Sequence, residues 1–163
     1  MTGNWTRGGL IVFLTFVAPI VRAQPSAEAQ VSKVIASGFA ALNSGDMTSY
    51  EALWDADPVL IDDMPPYLWS GAGAVKAWEA AQAAWARRNR VSAMTCSLDK
   101  TLRVEVVANR AYVVGDGGCA ISSNGKRLYQ KGRWSFSLSD GRSGWKVSAV
   151  SFAGEALKPL LGR

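Results

Sequence analysis

Hydrophobic residues recur at helical spacing in the first half of the chain and at alternate positions from Val91 onward. Val31, Ile35, Phe39 and Leu42 form one helical stripe, with Val34 and Gly38 beside it. Ser26 is placed to cap the start of this helix, and Gly45 to end it in the left-handed conformation. Asp46 or Thr48 then caps a short second helix whose Tyr50, Leu53 and Trp54 point inward, and Asp57-Pro58 is expected to break it. Val59 to Asp62 reads as a strand with Leu60 and Asp62 on one face. Met64 to Trp69 reads as an extended, Pro-rich rim. Ser70 is the expected cap of a third helix, with Val75, Trp78 and Trp85 along one side.

Four long strands follow, over about 92–107, 111–122, 126–139 and 144–152. Asn109-Arg110, Asn124-Gly125 and Asp140-Gly141 supply the turn signals between them. Helices first and an antiparallel meander after is an α+β pattern, with the helices packed on one sheet face. Gly115, Gly117 and Gly118 in the second long strand predict a bulge or bend that curls the sheet.

The first 23 residues depart from this pattern. Arg7, an apolar run from Leu10 to Val21, and Val21-Arg22-Ala23 make a charged region, a hydrophobic region and a small-residue cut site. The run is shorter than the roughly 20 residues a bilayer span requires. The reading is a signal peptide over 1–23 and a single domain over 24–163, located in a periplasm or secreted. An uncleaved anchor is the alternative. Gln24 rather than Cys follows the cut, which disfavours a lipoprotein, and no membrane association is expected once the leader is removed.

Charge and composition then exclude much chemistry. The net charge of +5 (18 basic against 13 acidic residues) falls to +3 without Arg7 and Arg22, and no basic stripe interleaved with aromatics points to nucleic acid. Arg87, Arg88 and Arg90 complement the dipole of a helix C-terminus. The absence of His excludes Ser-His-Asp and Cys-His catalysis, and the Cys and carboxylates have no metal-ligand spacing. No phosphate or dinucleotide loop occurs, and no cofactor is expected. Seven Trp suit a core or an apolar cavity.

The two cysteines are suited to pairing after export. A hairpin centred on Asn109-Arg110, however, sets Cys96 opposite Ser123 and Cys119 opposite Lys100. That separates them by about 13 Å along the strands, beyond the roughly 7 Å limit for bridged Cα atoms. Only a large bulge at Gly115–Gly118 would close the gap.

Ala41-Leu42-Asn43-Ser44-Gly45-Asp46, Ala52-Leu53-Trp54 with Asp57, Asp62, Trp69-Ser70-Gly71, and the closing hairpin from Gly132-Arg133-Trp134 to Trp145-Lys146-Val147 together resemble the nuclear-transport-factor-2-like superfamily, with its ketosteroid-isomerase and SnoaL-like branches. The resemblance covers residues 30 to 153. It implies a cystatin-like cone, a curved antiparallel sheet wrapped by three N-terminal helices around a pocket, in a protein that is often a homodimer through its outer sheet face. The family holds isomerases, dehydratases, small-ligand binders and non-catalytic assembly modules, so the fold does not fix the function. By the same resemblance the carboxylate base of ketosteroid isomerases falls on Asp62. Their Tyr donor falls on Gly38 and their carboxylic-acid donor near Gly132, so the family's usual oxyanion hole is missing its side chains.

Asp62 is therefore the first candidate catalytic group, as a general base or polar anchor at the pocket mouth; the alternative is an Asp that caps the Met-Pro-Pro turn. Asp63 points the other way, toward solvent. Asp116 is the second candidate if the face it shares with Tyr112 and Val114 is concave. Trp54, Tyr67, Trp69, Tyr112, Trp134 and Phe136 are the expected walls for a small apolar or aromatic ligand, Trp69 above all. Arg133 alternates with Trp134 and is assigned to the outer face. Three functions stay open: a ligand-binding domain with catalysis undecided, an isomerase- or dehydratase-type enzyme using Asp62 as base, and a dimeric assembly module with a filled cone.

Overall fold

A computed structural model describes residues 25–160; the expected signal peptide over 1–23 lies outside the described residues. Helix α1 (Ala27–Ser44) begins where the Ser26 hydroxyl accepts the Ala29 N–H at 3.2 Å, and ends at Gly45 with φ 73°. Val31 and Ile35 are buried, and Phe39 and Leu42 pack beside them. Helix α2 (Met47–Glu51) is capped by Asp46, which accepts the Ser49 N–H.

The second helix is shorter than expected. It stops at Glu51, and Trp54 is already the first residue of strand β1 (Trp54–Ile61). Asp57-Pro58 therefore interrupts a strand, not a helix. It sits where the register of β1 slips between Trp54 and Val59, a place that tolerates a residue without an N–H. Strand β2 (Leu68–Ser70) follows a turn in which Pro65-Pro66 is cis. Ser70 thus ends a strand, and helix α3 (Ala74–Arg88) starts at Gly73 without a side-chain cap.

Four long strands complete the sheet: β3 (Val91–Val107), β4 (Arg110–Ser123), β5 (Lys126–Gly141) and β6 (Gly144–Gly154). A two-residue β7 (Lys158–Pro159) pairs with β5. The order is β2-β1-β6-β5-β4-β3, and the sheet is mixed, not wholly antiparallel, because β1 runs parallel to β6. Asn124-Gly125 forms the expected turn with both φ positive. The other two turns sit elsewhere than expected, on Ala108-Asn109 and on Arg142-Ser143.

The β3–β4 turn and two slips on β3 bring the cysteines together. Val107 faces Arg110, two places tighter than a turn centred on Asn109-Arg110 would allow. Register then shifts between Thr101 and Arg103, and again between Leu98 and Lys100, so Leu102 and Asp99 are extra residues on β3. Cys96 comes to face Cys119, and the two form a disulfide with Cα atoms 4.0 Å apart. The bulges lie on β3, not on β4. The glycines of β4 make room for them: a Cβ on Gly117 would lie 2.1 Å from the Ser97 carbonyl oxygen.

Candidate ligand-binding site

The concave side of the sheet and the helices leave a hollow in two adjoining parts. The inner part, of about 50 Å³, lies between α1, α2 and the sheet. The outer part, of about 240 Å³, opens between α3, the Met64-Pro65 turn and the Cys96–Cys119 disulfide, with Leu157 of the tail at its edge. Leu42, Asp62, Trp78, Trp134 and Phe152 border both. Alternation along the strands explains the lining: Leu60 is 1% exposed, and the next residue on its face is Asp62.

Aromatic rings form much of the wall. Trp134 stacks on Phe152 with centroids 4.1 Å apart and meets the edge of Phe39 at 5.2 Å. Its indole N–H donates to the Ser97 carbonyl at 3.1 Å, so the ring is fixed while its face stays apolar. Tyr50 packs edge-on against Trp54 at 5.7 Å and lies 6.0 Å from Trp78.

Asp62 joins the two parts of the hollow and performs the turn-capping role as well. One carboxylate oxygen accepts the Met64 N–H at 3.0 Å, and the other accepts the Trp78 indole N–H at 2.8 Å. Both donors are neutral, so they orient the carboxylate and leave its charge uncompensated. Asp63 is exposed to solvent, as expected, yet it also borders the outer part of the hollow. Its side chain is at the rim, where the Gln130 amide donates to it. Partial burial, and then the hydrogen bond and charge of Asp62, push its carboxyl above the ordinary value. Burial, and then the Asp62 charge, push the Tyr50 hydroxyl far above its ordinary range. Tyr50 is therefore a neutral hydroxyl within the field of Asp62, and both line the inner part.

Of the other expected site residues, Trp54, Trp134 and Phe136 line the inner part with Asp62. Asp116 does not. Ala111, Val113, Gly115, Gly117, Cys119 and Ile121 are buried at alternate positions of β4, with Gly118 buried beside them, so Asp116 and Tyr112 are on the convex face. There Asp116 accepts two hydrogen bonds from the Arg133 guanidinium, at 2.7 and 3.0 Å, and Tyr112 is 41% exposed under Arg103. Arg133 is on the outer face as expected. Trp69 is buried in the main core because β2 pairs back onto β1, and Tyr67 is exposed at the turn; neither lines the hollow. Sequence reasoning did not single out Tyr50 and Trp78 as site residues, although both carried the signal of an aromatic on an inward helical face.

Solved structures with the same architecture include hexachlorocyclohexane dehydrochlorinase LinA-type3 from Novosphingobium barchaimii, at 13% identity and a TM-score of 0.68 over 84% of this chain and 92% of that one. A nuclear-transport-factor-2-like superfamily protein from Salmonella enterica serovar Typhimurium superposes at a TM-score of 0.67 with 19% identity, over 80% and 92%. The fold is nuclear-transport-factor-2-like. No protein-family profile matches the sequence, and no curated protein matches it. Gly38, on which the resemblance sets the family's Tyr donor, lies on α1 and lines the inner part of the hollow. The Tyr50 ring from α2 stands beside that position, with Cε2 4.0 Å from where a Cβ on Gly38 would lie. Among the described residues, no group of His, Cys, Asp and Glu is arranged to hold a metal.

Proposed function

We propose that this is an exported domain that binds a small, largely apolar molecule in the hollow, with Asp62 as its polar anchor. The observation that carries this reading is a hollow walled by aromatic and aliphatic side chains with one carboxylate at the junction of its two parts. The open outer part favours ligand binding over an assembly module with a filled cone. The disulfide supports export, because such bonds persist in oxidising compartments. A homodimer through the convex face, where Val107 and Tyr112 are exposed, is part of the same proposal.

Native mass spectrometry of protein purified from its own host tests the reading directly. A retained molecule of small mass, lost in Asp62→Asn, is expected; an empty protein whose indole fluorescence is also unchanged by any small apolar probe would refute it.

The second reading is proton abstraction beside a carbonyl, or dehydration, with Asp62 as base. The placement of Tyr50 favours it: a hydroxyl that stays protonated can donate to a developing oxyanion in the same hollow. Turnover lost in both Asp62→Asn and Tyr50→Phe, with folding intact, is the expected result. Turnover that survives both substitutions would dismiss it.

A further inference from the structure

We infer that the molecule held in this hollow is a cation: a small organic ammonium ion whose apolar body enters the aromatic inner part while its charged nitrogen rests at Asp62 and Asp63. The inference rests on the ligand-binding reading above and names the chemical class of the ligand.

The charge of the lining carries it. The chain as a whole is basic, with 18 Lys and Arg against 13 acids. Yet among the described residues that line either part of the hollow, the charged side chains are Asp62 and Asp63, and no Lys or Arg is present. An anionic ligand would meet two carboxylates and no counter-charge. A neutral one would leave their mutual repulsion in place.

The partners of these carboxylates point the same way. Glu51, Glu105, Asp116 and Glu155 each pair with a Lys or Arg. Asp62 and Asp63, like Asp46, Asp55 and Asp99, are held by neutral donors, here the Met64 N–H, the Trp78 indole and the Gln130 amide, but unlike those three they face the hollow. These fix the direction of the oxygens and supply no positive charge. Partial burial, and then the neighbouring Asp62, raise the proton affinity of Asp63, and a cation beside the pair would lower it again. The rings add a second attraction, since the faces of Trp and Tyr favour a cation within about 6 Å of their centroids. Trp78 and Tyr50 line the wall next to Asp62.

Calorimetric titration with a series sharing one phenethyl body separates the possibilities: 2-phenylethylamine, 2-phenylethanol and 3-phenylpropanoate, at neutral pH. The amine should bind at least about tenfold more tightly than the alcohol, and the carboxylate most weakly. Raising ionic strength from about 0.01 M to about 1 M cuts the screening length from about 30 Å to about 3 Å. That change should narrow the amine's advantage. Asp62→Asn should bring the amine down to the level of the alcohol, whereas Arg133→Ala, on the convex face, should leave the ratio as it is. If the alcohol or the carboxylate binds as well as the amine, the cation inference is overturned and the binding reading stands. If none of the three binds, the cation inference is overturned, and the binding reading is decided by the native mass spectrum. The salt dependence is read on the unmodified protein, so the inference is testable even where Asp62→Asn folds poorly.

Discussion

The indole N–H of Trp78 ends on a carboxylate oxygen of Asp62 at 2.8 Å, tying α3 to the end of β1 across the hollow. Trp78 is 5% exposed, so its donor has little access to water, and Asp62 is only partly exposed. Trp78→Phe keeps most of the ring and removes the donor. The carboxylate then loses one of its two orienting bonds, which should lower stability by about 1–2 kcal/mol in urea unfolding. A double-mutant cycle with Asp62→Asn should show that the two losses are not additive.

Gly38→Ala should separate stability from binding. Gly38 lies inside α1, where Ala is favoured by about 0.5–1 kcal/mol. A Cβ there would meet Leu53 at 3.8 Å and Tyr50 at 4.0 Å, ordinary contact distances. The added methyl enters the wall of the inner part. Thermal unfolding should therefore shift upward while ligand affinity falls.

Asp63 gives stability a pH dependence of known sign. Its folded-state value is raised above the ordinary 3.8, by partial burial first and then by Asp62. A carboxyl raised in this way contributes stability at pH below its unfolded value and loses it as pH rises through the folded value. Asp63→Asn keeps an oxygen for Gln130 and removes the charge. Its Tm should exceed that of the unmodified protein at neutral pH, and the difference should vanish below the ordinary carboxylate range.

Replacing both cysteines by Ala should destabilise the fold. The disulfide closes a loop of sequence separation 23 between two paired strands. The chain-entropy estimate for such a loop is about 3 kcal/mol. Cys96 and Cys119 also form part of the wall of the outer part of the hollow, so ligand affinity should fall with stability. Chemical denaturation with and without reductant measures the first effect, and the Ala variant the second.

The four long strands were legible because each alternates over many residues and Asn124-Gly125 is an unambiguous turn. Asp62 was legible for the same reason, two places after the buried Leu60. The orientation of β4 was not. Its inward set carries Gly115 and Gly117, whose missing side chains hide the apolar face, and its outward set carries Tyr112 and Val114, which look just as suited to a core. Trp69 was misplaced because the Pro-rich segment hides a three-residue strand that turns the ring into the core. The disulfide was hidden by two bulges whose extra residues, Asp99 and Leu102, have no local signature. Tyr50 and Trp78 carry no site signal in the sequence because an aromatic on an inward face looks alike whether it meets core or cavity.

Those two bulges act as a parity check on β3. Each supernumerary residue flips the alternation once, so two of them return the strand to its original phase. Val104 and Val106 on one side of the pair, and Leu98, Cys96 and Met94 on the other, consequently all pack inward at even positions. Deleting either Asp99 or Leu102 alone would leave one inversion uncorrected. Cys96 would then swing to the convex side, away from Cys119, and the outer chamber would lose its cystine wall without any change to a residue that lines it.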